Sequence, residues 1–212
     1  MNPPAWRPAG ERALLLEVPE NAAVTTANSV RRLAAAGDVA VVDVVPGAET
    51  VLVITASPEA RARLITLVDR LNGEASEPGP EPTVVEIPVR YDGSDLAAVA
   101  EATGLSVTEV VRRHGEASYQ AAFTGFAPGF AYLTGLDPAL HLPRRSTFRP
   151  SVPAGSVAMA DRYTAVYPTA SPGGWHLLGT TTLEMFDRKR RPPARVAPGD
   201  VVRFTSERGT RL

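Results

Sequence analysis

A chain of 212 residues with 44% hydrophobic content buries a real core and holds one large or two small domains. Its formal net charge of -1 supplies no overall field for nucleic acid or an anionic membrane, and the lack of cysteine removes disulfides, thiol nucleophiles and thiolate metal sites. No apolar run reaches the roughly 18 residues of a membrane span and no basic-then-apolar leader opens the chain, so a soluble cytoplasmic protein is expected, with neither nucleic acid nor membrane as partner.

The first eighty residues alternate strand and helix. The apolar run ALLLEV from Ala13 to Val18 predicts a strand. A helix follows whose Ala23, Ala27, Val30 and Ala34 share a face, with Asn21 as its cap and Gly37 as its stop. The β-branched run from Val39 to Val45 predicts a buried strand. VLVITA then precedes a second helix, begun by Ser57 and Pro58, with Ala60, Leu64, Leu67, Val68 and Leu71 on one face and Gly73 at its end. Gly73 to Thr83 is rich in proline, glycine and acids and poor in apolar side chains, which marks a linker.

VVEIPV, Val84 to Val89, either completes the first domain or opens the second. Two short helices are expected next, one near Ser94 to Thr103 and one starting at Ser106. In the second, SVTE forms a capping box with Glu109 reaching back. From Ser118 on, short apolar pieces alternate with proline and glycine: YQAAF, SVAMA, TAVYP, WHLLGT, LEMF and VVRF. That spacing of strand and turn signals predicts a sandwich or barrel. Only Trp6 of the thirteen aromatic residues precedes Tyr91, so stacking and anchoring side chains concentrate in the β-rich half.

No self-sufficient catalytic signature is present. Lys189, the only lysine, lies in the polar run DRKRR, so a GxxxxGK[ST] phosphate loop is missing. His114, His141 and His176 lack zinc-ligand spacing, and Ser156 and Ser171 lack the GxSxG elbow. Three segments combine glycine, proline and an aromatic: GFAPGFAYL, PRRSTFRPSVPAGSVAM and YPTASPGGWHLLGT. They read either as barrel corners over core residues Phe126, Phe130 and Trp175, or as loops that admit a ligand close to the backbone. Arg144, Arg145 and Arg149 lie among them, either as a solvated cluster or as forks for a carboxylate or phosphate. His114 ends a helix, where a cation suits the dipole.

HGEASYQAAFTGFAPGFAYLTGLDPALHLPRR, then VPAGSVAMADRYTAVYPTASPGGWHLLGTT and RPPARVAPGDVVRF, resembles the family of 5-oxoprolinase B-type subunits. That family also carries the names allophanate hydrolase subunit 1 and KipI-type histidine-kinase inhibitor. The resemblance implies an α+β protein: a small α/β domain of split β-α-β type, residues 1–82, followed by a cyclophilin-like β-barrel, residues 83–212. It implies a chain inactive alone. With a homologous second subunit (the C-type 5-oxoprolinase component, or allophanate hydrolase subunit 2) and a third, A-type component, such a chain opens 5-oxoproline to L-glutamate with consumption of ATP. ATP enters at the level of the complex.

A different class of function under the same resemblance is a regulatory module that inhibits a sensor histidine kinase. Matching family positions nominates His114, Phe126, Pro128, Gly129, Phe130, Tyr132, Arg144, Arg149, Pro153, Gly155, Ser156, Pro172, Gly173, Gly174 and Trp175 as substrate-binding or cleft-lining, without a catalytic assignment. The chain departs from the family pattern at Phe148, Tyr163, Ala165, Thr180 and Thr182, positions where a changed polar set would change the ligand.

Overall fold

The computed structural model describes residues 5–68 and 81–206. The chain divides into two compact units, Met1–Glu81 and Pro82–Leu212.

The first unit holds strands β1 (Trp6–Pro8), β2 (Ala13–Glu17), β3 (Val41–Pro46) and β4 (Thr50–Thr55), with helices α1 (Ala23–Ala35) and α2 (Pro58–Val68). The sheet order is β1-β2-β4-β3 and every neighbouring pair is antiparallel. β2 and β3 therefore run parallel with β4 inserted between them, which is a split β-α-β arrangement. Alternation in β2 and β4 turns Leu14, Leu16, Val51 and Val53 toward Ala23, Ala27, Val30, Leu64 and Leu67 of the helices, and these residues form one apolar cluster. Ser57 caps α2 by accepting from the Ala60 N–H at 3.2 Å.

Two local expectations fail here. Asn21 does not cap α1: it takes a left-handed φ of 63°, and Ala22 occupies the cap position with no side-chain bond. The valine-rich β3 is an edge strand rather than a buried one, with Val42 66% exposed, because β4 is the strand inserted at the sheet centre. Leu71, Gly73 and most of the expected linker lie outside the described residues.

In the second unit, β5 (Val84–Val89), α3 (Leu96–Thr103) and α4 (Val107–Glu116) precede a run of short strands. These are β6 (Ser118–Thr124), β7 (Ala131–Thr134), β8 (Arg149–Val152), β9 (Ser156–Ala160), β10 (Tyr163–Val166), β11 (Ser171–Gly173), β12 (His176–Thr180) and β13 (Val201–Ser206). Seven of the unit's strands form a sheet in the order β12-β9-β10-β7-β6-β13-β5, while β8 and β11 pair separately. The parallel pairing of β5 with β13 assigns VVEIPV to this unit.

The two ends of the seven-stranded sheet meet. Arg90 N–H donates to the Thr180 carbonyl at 2.9 Å, Thr180 N–H donates back at 2.8 Å, and Gly93 N–H reaches the Leu178 carbonyl at 3.1 Å. A Cβ on Gly93 would strike the Leu177 carbonyl and one on Gly179 would strike the Arg90 carbonyl, so both glycines are required for the backbones to close the seam. The result is a nearly closed barrel whose interior holds Ile87, Val89, Tyr119, Leu133, Met159, Leu178 and Phe204.

β9 is buried along its whole length. Val157 and Met159 face the barrel interior, whereas Ala158 and Ala160 belong to a second cluster with Phe130, Val152, Tyr167, Trp175 and Leu177. Small alanines on the outer face leave space for those aromatic rings, a layer the glycine-rich segments build over the barrel wall. Ser106 Oγ accepts from Glu109 N–H at 3.1 Å as expected, but the Glu109 carboxylate does not reach back; it pairs with Arg112 and Arg113 instead. LEMF forms no strand, and Phe186 makes only an isolated bridge to Ala194.

Candidate functional site

The three glycine-rich segments converge on Tyr167, Gly173, Gly174 and Trp175. The loop between β6 and β7 places the buried Phe130 edge-on to Trp175 at 5.6 Å and to Tyr167 at 5.4 Å. Half-buried Tyr132 joins the same layer, 5.7 Å from Trp175. Gly155 N–H donates to the Tyr167 carbonyl at 2.7 Å, and Tyr167 N–H donates to the Ser156 carbonyl at 2.9 Å, which ties that corner to the layer from below. Ser156 and Gly173 are buried, while Pro128, Pro153 and Pro172 face water.

Phe126 does not turn inward. Its left-handed φ of 65° swings the side chain out, leaving it 60% exposed with its ring 6.1 Å from Tyr167. Gly129, also at positive φ, is buried where a Cβ would meet the Phe186 Cβ at 2.7 Å. The loop is therefore an inward Phe130 and an outward Phe126 separated by a turn that only a small residue completes.

His114 is displaced from any cleft. It is fully buried in the barrel core, stacked on Phe204 at 4.7 Å. Thr164 Oγ1 donates to the Ala158 carbonyl at 3.0 Å, so it accepts from His114 Nε2–H at 2.9 Å, and Nδ1 then accepts from the Tyr91 hydroxyl at 2.8 Å. Every polar atom of the ring is spoken for. Burial pushes the imidazole pKa down to about 3, so it is neutral and supplies no cation to the helix end. The physical reason is amphipathicity: α4 turns Val110, Val111 and His114 toward the barrel and its charged residues outward.

The arginines behave differently from one another. Arg149 and Arg145 both donate to one oxygen of Asp95, Arg149 Nη2 at 2.6 Å and Arg145 Nη1 at 2.7 Å, while the other Asp95 oxygen accepts the Leu177 N–H at 2.8 Å. Asp95 is 3% exposed. Burial alone would push its carboxyl up, but the hydrogen bonds from Arg149 and Leu177, together with both guanidinium charges, hold it below the usual carboxylate range. Asp95 sits at the N-cap of α3 yet makes no side-chain cap bond, since its oxygens are committed to the arginines and to β12. The candidate Arg149 thus already holds a carboxylate from its own chain.

Arg144 is exposed, and among the described residues it forms no ion pair. It lies near enough to Tyr167 for its charge to oppose the upward push that burial gives that hydroxyl. A groove of about 360 Å³ runs beside it, lined by Ala102, Arg144, Arg145, Ser146, Thr147 and His176. His176 Nε2–H donates to the Pro143 carbonyl at 2.9 Å and so anchors the groove's rim. A second groove of about 440 Å³ lies across Leu142 and Pro143 and includes Asp161 and Tyr163.

Of the departures from the family pattern, Tyr163 lines that second groove, with the Arg162 guanidinium 5.2 Å over its ring. Thr180 sits on the barrel seam, bonded to Asp92 at 2.9 Å, and Ala165 is buried in the outer layer. Thr182 is exposed, and the Phe148 ring rests on Gly174. Asp95 is the residue that reading the sequence missed. Its position before an apolar run reads as a helix cap, and nothing local shows that its partners lie some fifty residues onward.

Residues 4–196 match the carboxyltransferase domain, subdomain C and D. The chain belongs to this family. A relative from Escherichia coli O157:H7, named as the B subunit of 5-oxoprolinase, is 41% identical in an alignment of 209 positions that covers 94% of each chain. The solved structure of TTHA0988 is 39% identical with a TM-score of 0.79 over 93% of this carboxyltransferase-family chain. This chain spans only 40% of the length of TTHA0988. The conserved protein PH0987 from Pyrococcus horikoshii is 32% identical with a TM-score of 0.57, covering 96% of this chain and 97% of its own.

Proposed function

We propose that this protein is the B-type subunit of a cytoplasmic 5-oxoprolinase complex that opens 5-oxoproline to L-glutamate with ATP, together with a homologous second subunit and a third component. The observation that carries this reading is the 41% identity to a B subunit of 5-oxoprolinase, which runs through both units and covers 94% of each chain. Fold alone would not carry it, since one scaffold hosts several chemistries.

The described residues fit a contributing role. Arg144, Arg145, Ser146 and Thr147 offer donors to an anion. The three imidazoles are engaged by their own chain: His114 by Tyr91 and Thr164, His141 by the Leu136 carbonyl at 3.0 Å, and His176 by the Pro143 carbonyl. Binding groups around an anion suit a protein that orients substrate while the assembled complex supplies the ATP-driven step.

Co-expression with the second subunit and the third component, followed by an assay of ATP-dependent glutamate release from 5-oxoproline, tests the proposal. Turnover by the complex and none by the separate chains is the expected result. An intact purified complex that releases no glutamate overturns it.

A further inference from the structure

The loop from Pro143 to Arg149 is held to the barrel at points that leave one guanidinium over. Its start is anchored by His176 Nε2–H on the Pro143 carbonyl at 2.9 Å. Its middle is anchored by Arg145 N–H on the Gly174 carbonyl at 2.8 Å, and the Phe148 ring lies against Gly174. Its arginines at 145 and 149 are both fixed by Asp95. Asp95 is itself tied to the barrel seam, with its N–H on the Leu177 carbonyl at 3.1 Å and its carboxylate on the Leu177 N–H. The loop backbone and the Arg145 and Arg149 side chains are therefore held in place before any ligand arrives, which lowers the ordering cost of binding there.

The charge count is unequal. Two half-buried guanidinium groups share one oxygen of the buried Asp95, so the trio keeps a net positive charge, and the Arg145 Nε and Arg149 Nη1 atoms have no hydrogen-bond partner among the described residues. Arg144 adds a third guanidinium at the groove with no ion pair among the described residues, beside the Ser146 and Thr147 hydroxyls. Excess positive charge in a partly dry place is stabilised by an incoming oxyanion, and guanidinium binds a carboxylate through paired N–H donors. A groove of about 360 Å³ is of a size that takes a small molecule.

We infer that this groove is a subsite for a small carboxylate, with Arg144 as the residue that contacts it and Asp95 as a positioning residue that holds Arg145 in place. The assignment rests on the 5-oxoprolinase reading only for its choice of ligand, since 5-oxoproline and glutamate both carry a carboxylate. A phosphate group presents the same oxyanion chemistry, and the experiment separates the two sources.

The full-length chain is titrated separately with 5-oxoproline, glutamate and inorganic phosphate, followed by NMR shifts of the Arg145 and Thr147 amides, both in the groove lining. Both acids are expected to shift these signals at concentrations where phosphate does not. Arg144→Ala, at an exposed position, is expected to weaken carboxylate binding by about tenfold or more, the loss of one charge-assisted pair. Asp95→Asn adds net positive charge but releases Arg145, so it is expected to lose the selectivity for either acid over phosphate while Arg144 stays intact. Absence of any acid-induced shift, tighter binding of phosphate than of either acid, or unchanged affinity in Arg144→Ala would each overturn the assignment. The two proposals fail separately: turnover by the reconstituted complex without binding here removes the subsite alone, and binding here without turnover removes the reaction alone.

Discussion

Two buried polar clusters in the second unit, one around His114 and one around Asp95, show how burial closes one site and leaves another open. His114 is enclosed by Tyr91, Thr164, Tyr119 and Phe204, and its donors and acceptors match its neighbours' one for one. Asp95 is almost as buried, but its partners outnumber it: two arginines converge on one oxygen, and guanidinium nitrogens are left over. A balanced network specifies a core, and an unbalanced one at a groove has binding capacity. Residue type alone would have ranked them the other way, since histidine is the commoner catalyst.

Breaking the balanced cluster should cost the most. His114→Ala removes a fully buried ring and strands the Tyr91 hydroxyl, so unfolding in urea should show a loss of about 4 kcal/mol. The same residue sets a pH dependence. Its folded pKa, pushed to about 3, lies below the unfolded value, so the unfolded chain binds the extra proton and stability falls as pH drops from 6.5 toward 3. One proton corresponds to about 1.4 kcal/mol per pH unit within that window, and a folded His114 variant should lose that slope near pH 5. Turnover of the complex per folded molecule should be unaffected, because the ring is sealed off from the groove.

Asp95→Asn is the next test and should separate the clusters further. It removes the shared charge partner of Arg145 and Arg149 and is expected to destabilise the chain by about 2 kcal/mol. Asp95 is held low, so its contribution is present above the usual carboxylate range and disappears as pH falls through its depressed pKa. Stability curves of wild type and variant should therefore converge in acid, and parallel curves down to the lowest pH at which the chain folds would refute the network. The smallest effect belongs to a change outside both clusters. Ser106→Ala deletes the cap of α4 and should lower stability by about 1 kcal/mol in thermal unfolding, with no change in carboxylate binding.

Much of the architecture was legible because it is local. Periodicity places α1 and α2, Ser57 and Ser106 announce their helix starts, and strand-turn spacing announces the barrel. The signals that misled were local too. Val39 to Val45 has the composition of a buried strand, but β4 took the central place in the sheet and left Val42 at an edge. Asn21 looks like a cap and serves instead as a left-handed turn residue. In the outer layer the two phenylalanines of one loop, four residues apart, point in opposite directions, a distinction that backbone φ decides and composition does not record.

By itself the sequence determined the fold class and the segments rich in glycine, proline and arginine, because apolar period, turn chemistry and residue spacing act over a few neighbours, while the family followed from the resemblance of whole segments. Only the tertiary structure decided that His114 is core, that Phe126 faces water, and that Arg149 is matched by a carboxylate from the start of α3. Those outcomes depend on contacts between residues far apart in the chain, made when the seam between Arg90 and Thr180 closes the barrel and brings Asp95 against β12.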